Sequence, residues 1–482
     1  MQQIKDGEQK WYRLFGLFNL TLLLLLSSVC SASFEDFKRK QDQSFAKYRD
    51  ERDASFNKYL KVQWDEYTAK ESQPLYEKQK PKSITPTVQK ELKSVGPNVN
   101  IKLLTPPKIS TKVVTTPVSI KKDINFVFFG QHLGFDVAAN VKNAKFYPYS
   151  QSGIVNFFDA VASSEYDDLV REIKSTSSRL ELNDWALYLL VMEVSNNIFE
   201  NQDDRKLLTW FILNKLEYNV KIGLSSKHIV LMHYSEKIIY STPNYSFDNK
   251  KFYVISNYAK GSAGRVYTYK QDYPDATKPL NLELKVLPKF IEDKRKKTLG
   301  FKQYGKEYKI SYFYDQNLID FMATYPQADY ETYFNAPMQE STYEDIAQDI
   351  KQYIDGKQAS IAINFVLSFV QKAFKYERDN QQFGREKVMF AEETIFYDKS
   401  DCEDRAILFS YLVKKLFSIN VIGVKYKDHM ATALYVPMKG DSVKVGRRRY
   451  IIADPTFINA NIGQSMPKYR SVIPQSFIVV KK

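Results

Sequence analysis

Residues 397–405 read Tyr-Asp-Lys-Ser-Asp-Cys-Glu-Asp-Arg, and an apolar run follows from Ala406 to Leu416. Ser400 and Glu403 stand three apart directly before this run, which is the spacing of a helix capping box. The pattern places Cys402 near the second position of a helix. The positive end of the helix dipole and the unpaired N–H groups there favour a thiolate over a thiol. The spacing therefore predicts a cysteine with a lowered pKa and donors for an oxyanion.

A thiolate nucleophile needs a base to move its proton and a third group to hold that base. His429 stands at the predicted start of a strand, and Asp454 closes the predicted strand from Tyr450 to Ala453. Strand ends beside a helix start can bring three such side chains together. Each residue also has a plain structural interpretation, as an inert core cysteine, a structural histidine and a turn-capping aspartate.

The order of these three residues resembles the transglutaminase-like superfamily, whose members have a papain-like fold. The similarity covers residues 358–467, and the segments 401–405 and 459–463 are similar to bacterial members found in the cell envelope. The resemblance implies that Cys402 is the nucleophile, His429 the general base and acid, and Asp454 the residue that orients His429.

Residues near the predicted triad have less specific roles. Gln382 is a candidate oxyanion donor, because an amide can donate to developing charge; the alternative is an ordinary surface glutamine. We expect Glu403, Asp404 and Arg405 to cap the helix and form a local ion pair rather than to take part in catalysis.

The composition excludes several classes of protein. The 482-residue chain is 44% apolar and carries a formal charge of +14, spread along the sequence with few dense clusters. It contains no zinc-finger spacing, P-loop or Gly-rich dinucleotide motif, so we expect no nucleic-acid partner, no cofactor and no metal. A length of this order predicts several folded units.

The first 32 residues have the parts of an export signal. Basic residues precede an apolar run from Leu14 to Leu26, and small residues end at Ala32. We predict cleavage after Ala32 and an exported protein of the periplasm or cell envelope; an uncleaved anchor or lipid attachment at Cys30 are alternatives. Cleavage would leave Cys402 as the single thiol of the mature chain.

Aromatic residues recur every 11 positions after the signal, as in Phe34, Phe45, Phe56 and Tyr67. This spacing predicts an amphipathic helix over residues 33–71. We expect it to self-associate, to contact the envelope, or to pack along its own protein. Residues 72–122 are rich in Pro, Thr and Lys and predict an extended linker or arm.

Folded sequence resumes at Asp123, and the patterns beyond it predict an α+β protein. Alternating aromatic residues predict a small β-rich module over 261–345, followed by a transglutaminase-like catalytic domain over 346–482.

Residues 201–223 match residues 401–423 without a gap, including Arg205 with Arg405 and Gly223 with Gly423. Gln202 stands where the later segment has Cys402, while His228 and Ser256 fall near the counterparts of the other two triad residues. Residues 123–260 are therefore predicted to be a degenerate transglutaminase-like domain, a domain duplication with a binding or scaffolding role. The alternative is two unrelated helix-to-strand units with similar patterning.

These expectations describe an exported thiol enzyme that hydrolyses peptide or isopeptide bonds in a protein or peptide substrate, with peptidoglycan as one substrate class. Capture of the acyl-enzyme by an amine would instead give a cross-linking transglutaminase. The alternative from another class is an envelope assembly or scaffold protein with a vestigial triad. Substrate identity and oligomeric state do not follow from the sequence.

Overall fold

The computed structural model describes residues 36–41, 43–62, 64–101, 121–255 and 264–481. The predicted signal at 1–32, Cys30 and Ser256 lie outside these ranges. The described chain is a mixed α+β protein with several sheets. Among the described residues, no helix combines the length and apolarity required to cross a bilayer.

The first helix, α1, covers residues 36–41 and 43–60. Phe56 and Leu60 are fully buried against the domain that follows, whereas the side chains of Phe37 and Phe45 are each 64% exposed. The helix is shorter than the predicted span of 33–71. Its expected last turns instead form two short strands, β1 (Asp65–Thr68) and β2 (Lys70–Glu71). Residues 65–71 pair with strands of the next domain instead of continuing the helix. Tyr67 packs on Phe247 of the same sheet, which partly buries an aromatic ring that the helical pattern had assigned to α1.

The first domain begins with a hairpin and continues with helices, of which α5 and α6 are buried on nearly all sides. Their bounds are β3 (Ile124–Phe128), β4 (Gln131–Phe135), α2 (Ala139–Lys142), α3 (Gln151–Ala162), α4 (Asp167–Arg179), α5 (Asp184–Ile198) and α6 (Gln202–Lys215). Polar side chains begin three of these helices: Ser150, Asn183 and Asn201 accept hydrogen bonds from N–H groups of the first turn of α3, α5 and α6.

The sheet of this domain is antiparallel throughout. Its further strands are β5 (Val220–Leu224), β6 (Ile229–Tyr234), β7 (Pro243–Phe247), β8 (Lys250–Tyr253) and β9 (Arg265–Thr268), in the order β1-β9-β5-β6-β8-β7-β2. The two strands that follow α1 form the two edges of this sheet, since β1 pairs with β9 and β2 pairs with β7.

The middle of the chain differs from the predicted β-rich module at 261–345. β9 belongs to the first sheet, and among the described residues of this range only the hairpin of β10 (Lys294–Gln303) and β11 (Lys306–Asp315) forms a separate sheet. Residues 269–293 contain no helix or named strand, and the chain after β11 is helical, with α7 (Gln316–Ala323), α8 (Tyr330–Phe334) and α9 (Glu340–Ile354). Dense aromatic residues suggested strands, but those of the helical part are buried in the main apolar core, so burial rather than β pairing explains them.

The C-terminal domain packs helices against a second antiparallel sheet. Its elements are α10 (Ala359–Lys372), β12 (Lys375–Tyr376), α11 (Asp379–Gln382), α12 (Ala391–Phe396), β13 (Lys399–Ser400), α13 (Cys402–Phe417), β14 (Val421–Lys425), β15 (Met430–Leu434), β16 (Ser442–Val445), β17 (Arg448–Ala453) and β18 (Ser476–Val479). The sheet order is β16-β17-β15-β14-β18, and α13 is almost entirely buried between α10 and this sheet.

The two domains have the same connectivity. In each, a helix leads to five antiparallel strands, which are β5 to β9 after α6 and β14 to β18 after α13. The first two strands pair with each other, and the fifth pairs with the outer side of the first. The fourth strand pairs with the second, and the third pairs with the outer side of the fourth. Gln202 and Cys402 each begin the helix. His228 and His429 each directly precede the second strand. The match found in the sequence therefore continues into the topology of both sheets.

Residues 72–101, here called the strap, connect β2 to the undescribed segment before the first domain. They contain no helix or strand, and they run across the C-terminal domain. Val99 N donates to Lys357 O, Thr87 N to Ile458 O and Lys78 N to Lys427 O. Ser72 and Gln73 still bond to the first domain, and the strap from Lys78 onward hydrogen-bonds to the domain that carries Cys402.

Candidate active site

Cys402 is the first residue of α13, one position earlier than the sequence predicts. Asp401, with extended backbone, is the N-cap, and its N–H donates to the side chain of Asp404 at 3.1 Å. The predicted box of Ser400 and Glu403 is wrong. Ser400 lies in β13 and accepts from Arg405 Nε, while Glu403 turns toward a lysine of the strap. Asp401 and Asp404 form the capping box instead, because Ser400 accepts from Arg405 and Glu403 accepts from the lysine.

His429 and Asp454 form a buried pair. The structure places them as predicted, His429 directly before β15 and Asp454 directly after β17, on paired strands. His429 Nε2 lies 2.9 Å from Asp454 Oδ2. The other carboxylate oxygen, Oδ1, accepts from the N–H groups of Thr456 and Phe457 at 2.9 and 3.2 Å. Asp454 therefore both caps its turn and holds the imidazole.

The second imidazole nitrogen, Nδ1, is buried and has no hydrogen-bond partner among the described residues. Because Asp454 occupies Nε2 as an acceptor, the neutral ring carries its proton on Nε2 and leaves Nδ1 basic. This is the tautomer that a general base requires.

Aromatic rings fix the plane of this imidazole. Tyr469 stacks on His429 with ring centroids 4.8 Å apart and planes 17° apart, and Tyr426 packs on Tyr469. The hydroxyl of Tyr469 donates to Asp428 at 3.1 Å. Burial, then the charge of Asp428 and its hydrogen bond, raise the pKa of Tyr469.

The thiol of Cys402 is fully buried. It donates to Glu403 Oε2 at 3.1 Å, and Tyr76 Oη lies 3.8 Å from the sulfur. Burial first, and then the charges of Glu403 and Asp401, raise the pKa of Cys402 well above its ordinary value. The predicted lowering is therefore wrong for this arrangement, because the helix dipole is outweighed by desolvation and by two adjacent carboxylates.

A cluster of carboxylates surrounds the ammonium of Lys80, which is nearly inaccessible to solvent. Lys80 Nζ lies 2.5 Å from Asp401, 2.8 Å from both Glu386 and Glu403, and 3.0 Å from Asp379. Burial and the charges of Asp379 and Glu403 raise the pKa of Asp401. The pKa of Glu403 is lowered: burial opposes this, but Lys80 outweighs it.

Several side chains of this cluster could ligate a cation. The ligand atoms of Asp379, Asp401 and Asp404 lie within 4.8 Å of one another, as do those of two overlapping sets that include Glu403. Lys80 already supplies a positive charge at this position, so the geometry describes an ion-pair network.

Gln382 ends α11, a single turn that also carries Asp379. No described hydrogen bond links its side chain to Cys402, and its Oε1 is buried without a described partner. Its role as an oxyanion donor stays a prediction. The expected ion pair of Arg405 with its neighbours is absent from the described contacts: this buried guanidinium donates to Ser400 Oγ and to the main-chain oxygens of Gln371 and Phe374.

Sequence reasoning missed three residues of the site. Tyr76 and Lys80 lie in a segment that reads only as a linker, and nothing in a Lys-rich stretch distinguishes one lysine from its neighbours. Tyr469 follows the region of resemblance and has no motif of its own. In each case the contact is long-range, so no local pattern could predict it.

Comparisons with known proteins add little to this geometry. No family model and no curated protein matches the sequence. A solved structure from Cytophaga hutchinsonii, described as a "Putative Cysteine Protease", is similar at 15% identity with a TM-score of 0.19. The match covers 30% of this chain and 50% of that protein. A likeness of this size carries no inference about activity.

Proposed function

We propose that the C-terminal domain is a transglutaminase-like thiol enzyme that cleaves peptide or isopeptide bonds. The observation that carries this proposal is the His429–Asp454 pair, which leaves Nδ1 unpartnered in a domain whose helix begins with Cys402. An unmade hydrogen bond at a buried nitrogen costs about 1–3 kcal/mol. His233 of the first domain also has a buried nitrogen without a described partner, so the feature that distinguishes His429 is the carboxylate of Asp454 on its opposite nitrogen. A base in a thiol enzyme requires such a nitrogen.

The proposed reaction has two halves. The thiol proton of Cys402 passes to His429 Nδ1 while sulfur bonds to the substrate carbonyl carbon; the C–N bond then breaks, and Nδ1 returns the proton to the leaving amine. Water next attacks the thioester, giving its proton to Nδ1, and the departing sulfur takes that proton back. The products are a carboxylic acid and an amine, and the enzyme is regenerated. An amine in place of water would form a new amide, the cross-linking outcome.

The substrate and the compartment belong to the same proposal. We place the enzyme outside the cytoplasm, in the periplasm or at the envelope, because of the signal-like segment at residues 1–32. Protein and peptide chains there, including peptidoglycan peptides, supply the bonds it would cleave. Phe37 and Phe45 remain exposed on α1, which supports self-association or envelope contact by this helix.

The first domain fits the second candidate role, binding or scaffolding. It shares the strand order of the C-terminal domain but begins its helix with Gln202 in place of the thiol. We propose that it is a degenerate copy. If the whole protein were a scaffold with a vestigial triad, a Cys402→Ala variant would replace the wild type fully in a complementation assay; an enzyme would lose function.

Thiol reactivity tests the enzyme directly. Purified mature protein is alkylated with iodoacetamide across pH 5 to 9, and intact mass reports the rate for wild type, His429→Ala and the control His132→Ala, which replaces an exposed histidine of the first domain. We expect His429→Ala to slow alkylation near neutral pH by roughly tenfold or more, with the control unchanged. Equal rates for all three proteins, measured where the rate is proportional to reagent concentration, would refute the proposal. A fluorescent primary amine added with a protein substrate then separates hydrolysis from cross-linking.

A further inference from the structure

The strap closes over the thiol. Cys402 is completely buried, and the nearest strap residue, Tyr76, is itself largely covered. Its hydroxyl donates to Glu403 Oε2 at 3.0 Å and lies 3.8 Å from the sulfur, so the tyrosine covers the side of the thiol that it faces. Two residues on, Lys78 N donates to Lys427 O in the loop before His429.

Lys80 anchors this closure. Its ammonium pairs with both residues that flank the thiol, Asp401 and Glu403, and with Asp379 and Glu386. Next along the strap, Pro81 O accepts from Tyr376 Oη at 2.8 Å. A buried lysine with several carboxylate partners is a strong attachment only while the strap stays in place, since each charge depends on the others.

The strap is also built to be separable. Tyr76 to Pro81 contain no regular structure and form no ladder with either sheet. Their contacts with the domain are made by a few side chains and single main-chain hydrogen bonds, which can break without disturbing the sheet beneath. The carboxylates they leave would be hydrated by the entering water.

We propose that the strap is an autoinhibitory segment: Tyr76 blocks Cys402, Lys80 holds the block in place, and the enzyme is latent until the strap withdraws. This inference rests on the proposed thiol chemistry and names its regulation. Withdrawal uncovers the thiol and removes Tyr76 from the approach to the site.

The test compares alkylation of Cys402 by iodoacetamide in wild type, Tyr76→Ala and Lys78→Ala. Lys78 lies between the two key strap residues, but its side chain is exposed, so Lys78→Ala is the matched control. We expect Tyr76→Ala to accelerate alkylation roughly ten- to a hundredfold and the control to remain within about twofold of wild type. No acceleration in Tyr76→Ala would overturn the proposal.

Lys80→Met gives a second measurement with a diagnostic sign. The lysine lowers the pKa of Cys402, so its loss from a strap that remained closed would slow alkylation. If Lys80 anchors the strap, its loss should open the strap and accelerate the alkylation of Cys402. Slower alkylation by folded Lys80→Met would contradict the proposal, and Tyr76→Ala decides the question if Lys80→Met does not fold.

A synthetic peptide with the sequence of residues 72–82, added to Tyr76→Ala, completes the test. We expect it to slow alkylation, whereas the same peptide with alanine at the position of Lys80 should not; equal effects would count against the anchor. Adding His429→Ala to the Tyr76→Ala background separates the two proposals. Fast alkylation that is insensitive to His429 would leave the strap proposal standing and refute the enzyme, while an unaltered rate in Tyr76→Ala alone refutes the strap.

Discussion

Asp454→Asn distinguishes the two functions of Asp454 in the structure. The carboxylate accepts two backbone N–H groups through Oδ1 and contacts His429 Nε2 through Oδ2. Asparagine keeps an oxygen for the turn but presents an NH₂ group to the imidazole. Nε2 must then become an acceptor, and the ring proton moves to Nδ1, the nitrogen that has to be basic.

The magnitude follows from the hydrogen bond that is lost. A buried hydrogen bond to a charged group contributes about 1.5–3 kcal/mol. At ~1.4 kcal/mol per factor of ten, the alkylation rate of Cys402 near neutral pH should fall roughly 10- to 150-fold. Thermal stability should change little, because the turn keeps its acceptor. Asp454→Ala should in addition lose stability, since it leaves the buried N–H of Thr456 unpaired at a cost of about 1–3 kcal/mol and leaves the N–H of Phe457 with only the main-chain oxygen of residue 454.

The assay is the rate of iodoacetamide alkylation from pH 5 to 9, paired with a thermal unfolding curve for each variant. Rates must be proportional to reagent concentration, so that opening of the site is not the slow step. If Asp454→Asn reacted at the wild-type rate over the whole range while Asp454→Ala was destabilised, Asp454 would be a turn cap only, and the triad would fail.

Three further predictions concern stability. Burial raises the pKa of Glu392 from its ordinary value of 4.5 to about 7, so the folded protein binds a proton that the unfolded chain releases, and stability falls as pH rises between these values. Glu392→Gln should flatten that decline and raise the free energy of unfolding at pH 8 by up to ~3 kcal/mol, as measured by urea titration. An unchanged dependence of the unfolding free energy on pH would contradict this. Arg405→Ala should cost about 3–5 kcal/mol, because it leaves one side-chain oxygen and two main-chain oxygens in the core without their donor. Arg205→Ala, at the matching position of the first domain, should cost about 1 kcal/mol, because Arg205 is only partly buried and donates to the main-chain oxygen of Phe199. Equal losses of unfolding free energy for the two variants would contradict the greater burial and hydrogen bonding of Arg405. Phe56→Ala should destabilise by about 3–5 kcal/mol and Phe45→Ala by almost nothing, since only the first is buried; chemical denaturation checks whether α1 is docked in solution.

The sequence was sufficient where the deciding information is local. The apolar run after Arg405 predicts α13, and strand patterns place His429 and Asp454 beside paired strands. Residues 201–223 match residues 401–423 in sequence, and in the structure both segments lead into sheets with the same strand order. These inferences depend on periodicity and on residue types at element ends, both of which can be read from neighbours along the chain.

The tertiary structure alone decided the state of the thiol. From the sequence, Cys402 at a helix start should have a lowered pKa; in the structure its pKa is raised, because burial and Glu403 outweigh the dipole. The two residues that close the site, Tyr76 and Lys80, come from more than three hundred positions earlier in the chain. Burial and long-range charge pairs depend on which distant segments meet. Hence the sequence alone could identify the candidate triad, and only the fold could show it covered.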